Sequence, residues 1–183
     1  MRAYVLPLPA YVLTSPQSRV GAPGTLVYFS HTIRNTGNVP LEFAIRALNY
    51  GLNGDQPQAS TGGVLNDALS GSPNNPANYD ISSFTIYADI NGDGVPDSTT
   101  PITATPSAIP AGGTFQFVVA ARVPAGALAG QVDEFGVELR PTTTNYAGRA
   151  IGTVPLLFPN GGVSYTNENR LTVSNLAVVA MTK

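Results

Sequence analysis

The amino-acid sequence predicts an all-β protein built as a sandwich of two packed sheets. Segments of alternating apolar and polar residues recur along the chain, each bounded by Gly, Pro, Asn or Asp clusters. Helix signals are nearly absent. The longest helical candidate, Ala120 to Gly130, is broken by Pro124, Gly126 and Gly130, and a Pro in a helix interior costs about 3 kcal/mol. The 183 residues include 19 glycines and 16 prolines, and only 11 % are charged; average soluble chains have roughly 12 % Gly plus Pro and about 25 % charge. Such a composition suits short strands and many turns.

The elements follow in order. Met1 to Ala10 is apolar, but Pro7 and Pro9 interrupt it and no good cleavage pattern follows, so it reads as mature chain rather than a signal peptide. Thr25 to Asn35 reads as a strand with Val27, Phe29 and Ile33 on one face. The turn Asn35-Thr36-Gly37-Asn38 reverses it: Asn35 is expected to hydrogen-bond its own backbone two residues on, and Gly37 to supply a positive φ. Leu41 to Leu48 returns, with Leu41, Phe43 and Ile45 alternating against Glu42 and Arg46. The stretch from Gly51 to Asn78 carries only Asp55 and Asp67 as charges and reads as a long decorated connection.

Ser82 to Asp89 is the next strand, with Phe84, Ile86 and Ala88 on one face. Thr100 to Thr105, Gly113 to Val123, Gln131 to Arg140, Ala150 to Phe158, Val163 to Thr166 and Arg170 to Met181 complete the set. About nine or ten strands at this spacing bury their apolar faces by packing one sheet on another.

Composition also excludes functions. A net charge of −2 with Lys183 as the single lysine leaves no electrostatic footprint for nucleic acid. No apolar run reaches the roughly 20 residues needed to span a bilayer. With no cysteine, thiol catalysis, zinc–thiolate sites and disulfides are excluded together.

The most chemically informative segment is Asp89-Ile90-Asn91-Gly92-Asp93-Gly94-Val95-Pro96-Asp97. Asp89, Asn91, Asp93 and Asp97 place oxygen side chains at the first, third, fifth and ninth positions, and Gly94 is sixth. That spacing wraps an EF-hand-type loop around Ca²⁺, with the backbone carbonyl of the seventh residue, Val95, as a further ligand. Three carboxylates within nine residues repel one another until a hard cation neutralises them. The twelfth position is Thr100 instead of a bidentate Glu, and no helices flank the loop. A weak site is therefore expected, on the order of 10⁻⁴ to 10⁻³ M, unless Asp80 or another remote oxygen completes it. The loop resembles the calcium loops of dockerins and surface repeats.

Three segments carry a wider resemblance: Ala22 to Asn38, ending in Asn-Thr-Gly-Asn; Tyr87 to Asp97; and Ile109 to Phe115 with Val123-Pro124-Ala125-Gly126. Across residues 20 to 140 the chain resembles the immunoglobulin-like repeat domain of bacterial cell-surface and S-layer-associated proteins. The resemblance implies an immunoglobulin-like sandwich, a secreted location and a non-enzymatic structural role. Two departures stand out, the insertion between Asn49 and Tyr79 and the extra strands after Arg140. The domain reading is an N-terminal extension over 1–19, offered as an exchanged strand, and a sandwich over 20–183 with an insertion at 50–79 and a C-terminal strand at 170–182.

Catalytic constellations are missing. His31, the single histidine, alternates in phase with Phe29 and Ile33 and reads as a packed, hydrogen-bonded core residue. No Gly-x-Ser-x-Gly elbow surrounds any serine. Asp133, Glu134 and Glu138 are expected on the solvent face of their strand. The chain has eight Tyr, seven Phe and no Trp, which weakens a sugar-binding reading, although Tyr4, Tyr11, Tyr50, Tyr79, Tyr146 and Tyr165 remain candidates for an aromatic surface. Ala3 to Thr14 and Asn175 to Lys183 are apolar segments outside the resembling region, suited to pairing with another chain. The sequence therefore reads as a secreted structural subunit that self-assembles into an extracellular filament or surface layer, a homopolymer joined by strand exchange and stabilised by Ca²⁺. The alternative is an adhesin module of the cell surface that binds carbohydrate or protein.

Overall fold

Alternation decides which way each strand faces, and the computed structural model shows it in residues 6–14, 17–51, 65–66, 84–150 and 168–174, the residues it describes. The strands are β1 (Tyr11–Leu13), β2 (Ser18–Gly21), β3 (Leu26–Asn35), β4 (Phe43–Gly51), β5 (Leu65–Asn66), β6 (Phe84–Ala88), β7 (Thr114–Arg122), β8 (Val132–Pro141), β9 (Asn145–Tyr146), β10 (Arg149–Ala150) and β11 (Glu168–Val173). One sheet has the order β1-β3-β7-β6 and the other β2-β11-β8-β4-β5, while β9 and β10 form a separate hairpin. No described residue is helical.

This is the strand order of an immunoglobulin-like sandwich, with β1, β3, β7 and β6 as one sheet and β11, β8 and β4 at the centre of the other. The N-terminal segment divides between the sheets. β1 pairs antiparallel with β3, Tyr11 opposite Asn35 and Leu13 opposite Ile33. β2 pairs parallel with β11, Ser18 opposite Arg170 and Gly21 opposite Val173. The expected boundary between an extension and a sandwich at residues 19 and 20 thus falls inside β2. Within the single chain, residues 11–13 and 18–21 are edge strands of the sandwich itself, because each finds an unpaired backbone edge to join.

The core lies between the sheets. From the first come Phe29 and Ile33 of β3, Ile86 of β6, and Phe117, Val119 and Ala121 of β7. From the second come Phe43 and Ile45 of β4, Phe135, Val137 and Leu139 of β8, and Leu171 and Val173 of β11. Phe29 meets Phe135 edge-to-face across the sandwich, ring centroids 4.8 Å apart, the geometry the aromatic quadrupole favours. The β3–β7 ladder extends from Leu26 opposite Arg122 to Arg34 opposite Thr114.

Several expectations need correction. Thr100 to Thr105 is a crossing rather than a strand. The Ile102 amide donates to the Ile86 carbonyl in the first sheet. The Ile45 amide then donates to Thr103 and the Thr105 amide to Phe43, in the second. The segment so ties the two sheets along one side. His31 is packed as expected but not hydrogen-bonded: it is 1 % exposed and neither ring nitrogen has a partner. Asp133 and Glu138 are buried rather than exposed to solvent. Asp133 shares the inward phase of Phe135 and Val137. Glu138 points the other way, but Arg46 of β4 and Arg140 of β8 both pair with it. The expected strands over 151–158, 163–166 and 175–182, most of the 50–79 insertion, and Asp80 lie outside the described residues.

Candidate functional site

The Asp89–Asp97 loop follows β6 and folds back over the outer face of the first sheet. The Asp89 amide donates to the Gln116 carbonyl and the Asp97 amide to the Ala88 carbonyl, pinning both ends of the loop. Gly92 and Gly94 adopt φ of 74° and 84°, a region L side chains rarely enter. The close packing adds a second requirement. A Cβ on Gly92 would fall 2.5 Å from Oε1 of Gln116, and one on Gly94 would fall 2.8 Å from Oγ of Ser30.

Inside the loop, side-chain oxygens accept hydrogen bonds from backbone amides. Asp89, 2 % exposed, accepts from Gly92 through Oδ1 at 2.8 Å and from Gly94 through Oδ2 at 3.0 Å. Asn91 Oδ1 accepts from the Asp93 amide at 3.0 Å, and its Nδ2 donates to Asp93 Oδ2 at 3.0 Å. Asp93 Oδ1 accepts from Val95 at 2.9 Å. Asp97 Oδ2 accepts from Ile90 and Asn91. The loop is thus held in one conformation by its own acidic side chains. Its carboxylates do not converge on a point: among the described residues no group of three or more His, Cys, Asp or Glu gathers as a metal site. The donor set is nonetheless oxygen-only, and a carboxylate offers about four lone-pair sites, so Asp89, Asp93 and Asp97 keep acceptor capacity beyond these bonds.

A groove of about 340 Å³ runs along the loop's C-terminal flank, lined by Leu26 and Tyr28 of β3, Tyr87 of β6, and Val95 through Thr99. Tyr28 lies opposite Ala120 and Tyr87 opposite Val118 in the ladders of β7, so the two tyrosines flank one strand on the outer face. Sequence reasoning missed this pair. Of the tyrosines it singled out for an aromatic surface, Tyr11 packs on Phe43 with centroids 4.7 Å apart and Tyr146 is exposed on the β9–β10 hairpin. Tyr4, Tyr79, Tyr165 and the side chain of Tyr50 lie outside the described residues. The missed signal was parity: Tyr28 and Tyr87 alternate out of phase with Phe29 and Ile86.

A second cavity, about 470 Å³, lies over the second sheet, lined by Ala44, Ile45, Arg46, Thr103, Glu138 and Arg140. Glu138 is 2 % exposed there and accepts from both guanidinium groups.

No family model and no curated protein matches the sequence. Solved structures do. The chain is similar to a family 123 glycoside hydrolase from Clostridium perfringens at 12 % identity and a TM-score of 0.42, covering 88 % of this chain. It spans only 23 % of the hydrolase's length. It is similar to the PapD-like domain 7 of human CEP192 at 10 % identity and a TM-score of 0.37, over 91 % of this chain and 84 % of that one. It is also similar to AggA, the major subunit of aggregative adherence fimbriae type I from Escherichia coli. That match has 12 % identity and a TM-score of 0.40, over 94 % of this chain and all of that one. At these scores the likenesses carry no functional argument, and the sandwich rests on strand order and register. Among the described residues, no helix is long and apolar enough to cross a membrane.

Proposed function

We propose that the chain is a non-catalytic structural subunit of an extracellular filament or surface layer, a homopolymer whose copies join through an exchanged N-terminal strand. One observation carries this reading. β1 is the terminal strand of its sheet, and the segment leading through it leaves Leu6, Leu8 and Val12 at 74, 65 and 51 % exposure. An apolar edge strand is a template for pairing with another chain. Exchange of an identical element between protomers costs little, because the same bonds re-form in trans. The second edge, β2, adds Val20 at 66 % exposure. His31, the single histidine, is sealed in the core, where it reaches no substrate.

Calcium loading of the Asp89–Asp97 loop belongs to the same proposal. Asp89, Asn91, Asp93, Asp97 and the Val95 carbonyl would hold the ion, which would neutralise the carboxylate cluster and stiffen the loop against β3 and β7. The test is negative-stain microscopy of the full chain at high concentration, with saturating Ca²⁺ and after chelation. Polymers are expected. A preparation that stays monodisperse and monomeric under both conditions overturns the assembly reading.

The groove between Tyr28 and Tyr87 favours a second reading, an adhesin module that binds carbohydrate at the cell surface. Two tyrosines beside the Asp97 carboxylate offer aromatic faces and a hydrogen-bond acceptor of the kind sugars use. Glycan-array binding that Tyr28→Ala and Tyr87→Ala both remove would support it; an array without hits would refute it.

A further inference from the structure

The Asn35–Asn38 turn does more than reverse the chain. Asn38 faces the N-terminal segment and reads its backbone twice: Oδ1 accepts from the Leu8 amide at 2.6 Å and Nδ2 donates to the Leu6 carbonyl at 2.9 Å. Its own amide donates to the Leu8 carbonyl at 3.0 Å, and the amides of Thr36 and Gly37 both donate to the Ala10 carbonyl at 2.9 Å. The turn so continues the β1–β3 pairing beyond Asn35 along the five residues from Leu6 to Ala10. Every one of these bonds goes to backbone, while Leu6 and Leu8 hold their side chains in solvent.

Gly37 makes the approach feasible. Its φ is not in the positive range that the turn alone predicted. Glycine is needed there because a Cβ would fall 2.3 Å from the Leu8 carbonyl oxygen and 2.6 Å from the Ala10 nitrogen. Two side chains complete the seat: Tyr11 packs edge-on to the buried ring of Phe43, centroids 4.7 Å apart, and Leu13 packs against the same core. If β1 left, the rest of the sandwich would keep its pairings, yet Phe43 and a row of turn amides would lie bare. Such a vacated seat fits one occupant best, the same segment from another copy.

We propose that the Asn35–Asn38 turn, the edge of β3 that β1 covers, and Phe43 together form a receptor that takes residues 6–13 of a second copy of this chain. Tyr11 and Leu13 are the anchors and Asn38 the backbone clamp. This rests on the filament reading and names its contact surface.

The chain has no native cysteine, so a disulfide trap reports the contact cleanly. Ala10 sits opposite Thr36 by the register of β1. Opposed residues in an antiparallel ladder lie about 4.5–5.5 Å apart at Cα, inside the disulfide window of about 4.4–6.8 Å. Full-length Ala10→Cys and Thr36→Cys chains are mixed at high concentration under mild oxidation, so that the mixed disulfide forms only between subunits. The expected result is a covalent heterodimer at least tenfold above the yield when the Thr36→Cys chain also carries Gly37→Ala or Asn38→Ala. Melting curves confirm that each variant is folded, and Asn38→Ala serves if Gly37→Ala is not. A heterodimer yield unaffected by both substitutions overturns the proposal. So does a double Ala10→Cys/Thr36→Cys chain that closes only within itself while single variants never cross-link. Filaments seen by microscopy without the mixed disulfide would leave the homopolymer standing but remove exchange of the N-terminal strand, and this surface with it.

Discussion

His31 lies stacked on Phe117, its partner in the β3–β7 ladder, with ring centroids 5.4 Å apart and planes 28° from parallel. Neither imidazole nitrogen is hydrogen-bonded, and burial lowers the pKa of the group from 6.5 to about 4. The neutral ring behaves here as an aromatic filler of the core.

That arrangement makes stability depend on pH in a defined direction. Between pH 6.5 and about 4 the unfolded chain binds a proton at His31 that the folded chain refuses, so stability rises with pH across this window. The contribution is fully present above 6.5, declines as pH falls, and is exhausted below about 4. From the two pKa values the swing is about 3 kcal/mol. Urea denaturation of the native chain and of His31→Leu at pH 7 and pH 4.5 measures it. The native chain should lose more stability than the variant; parallel losses would refute the assignment.

Glu138 gives an asymmetric prediction. It is 2 % exposed, whereas Arg46 and Arg140 are 49 and 61 % exposed. Removing both arginines leaves an unpaired buried carboxylate, a change of the kind that costs about 3–5 kcal/mol. Removing the carboxylate frees two guanidinium groups that water already reaches. The Arg46→Ala/Arg140→Ala chain should therefore be less stable than Glu138→Gln by about 2 kcal/mol or more, read from denaturant midpoints at pH 7.

Asn35 is fully buried with its amide in use at every position. Nδ2 donates to the carbonyls of Val39 at 2.7 Å and Ile109 at 2.8 Å, and Oδ1 accepts from the Gly37 amide at 3.0 Å. Truncation to Ala strands the Val39 carbonyl, while the Ile109 carbonyl keeps the Leu41 amide and the Gly37 amide keeps the Ala10 carbonyl; an unsatisfied buried polar group costs about 1–3 kcal/mol. Asn35→Ala should lose about 1–3 kcal/mol. Asn35→Asp should lose more, since it sets a carboxylate oxygen against two carbonyls. Thermal unfolding of the three chains orders them.

What was legible in the sequence follows from the range of the interactions involved. The alternation of Phe29 with Ile33 and of Phe117 with Val119 declares two faces within a few residues, so the sandwich could be read directly. The Asn35 contact to Gly37 is equally local and was anticipated. Burial of Asp133 is legible too, since it shares the parity of Phe135, although its polarity points to the solvent face. Burial of Glu138 needs Arg46, placed opposite it only by the β4–β8 register, which periodicity does not supply. The docking of Leu6 to Ala10 on Asn38 depends on a register between segments about thirty residues apart. Nothing in the Asn-Thr-Gly-Asn turn announces it.

The loop carboxylates separate two roles that spacing alone treats as one. Asp89 is buried and accepts from the amides of both left-handed glycines, Gly92 and Gly94. Asp93 is exposed and bonds only to Asn91 and Val95, its near neighbours. Asp89→Ala should destabilise the protein by about 2 kcal/mol even in chelator, because two amides lose their acceptor. Asp93→Ala should leave the chelated protein nearly unchanged and act only on metal. A ligand that binds only the native state stabilises it by about 2.7 kcal/mol at one hundred times its dissociation constant. Calorimetry in millimolar Ca²⁺ and in chelator should thus show a raised melting temperature for the native chain and none for Asp93→Ala. If the native chain melts at the same temperature in both solutions, the loop is a hydrogen-bonded turn and Ca²⁺ has no place in it. The effect of Asp89→Ala in chelator would persist either way, since it rests on the amides of Gly92 and Gly94 and not on the ion.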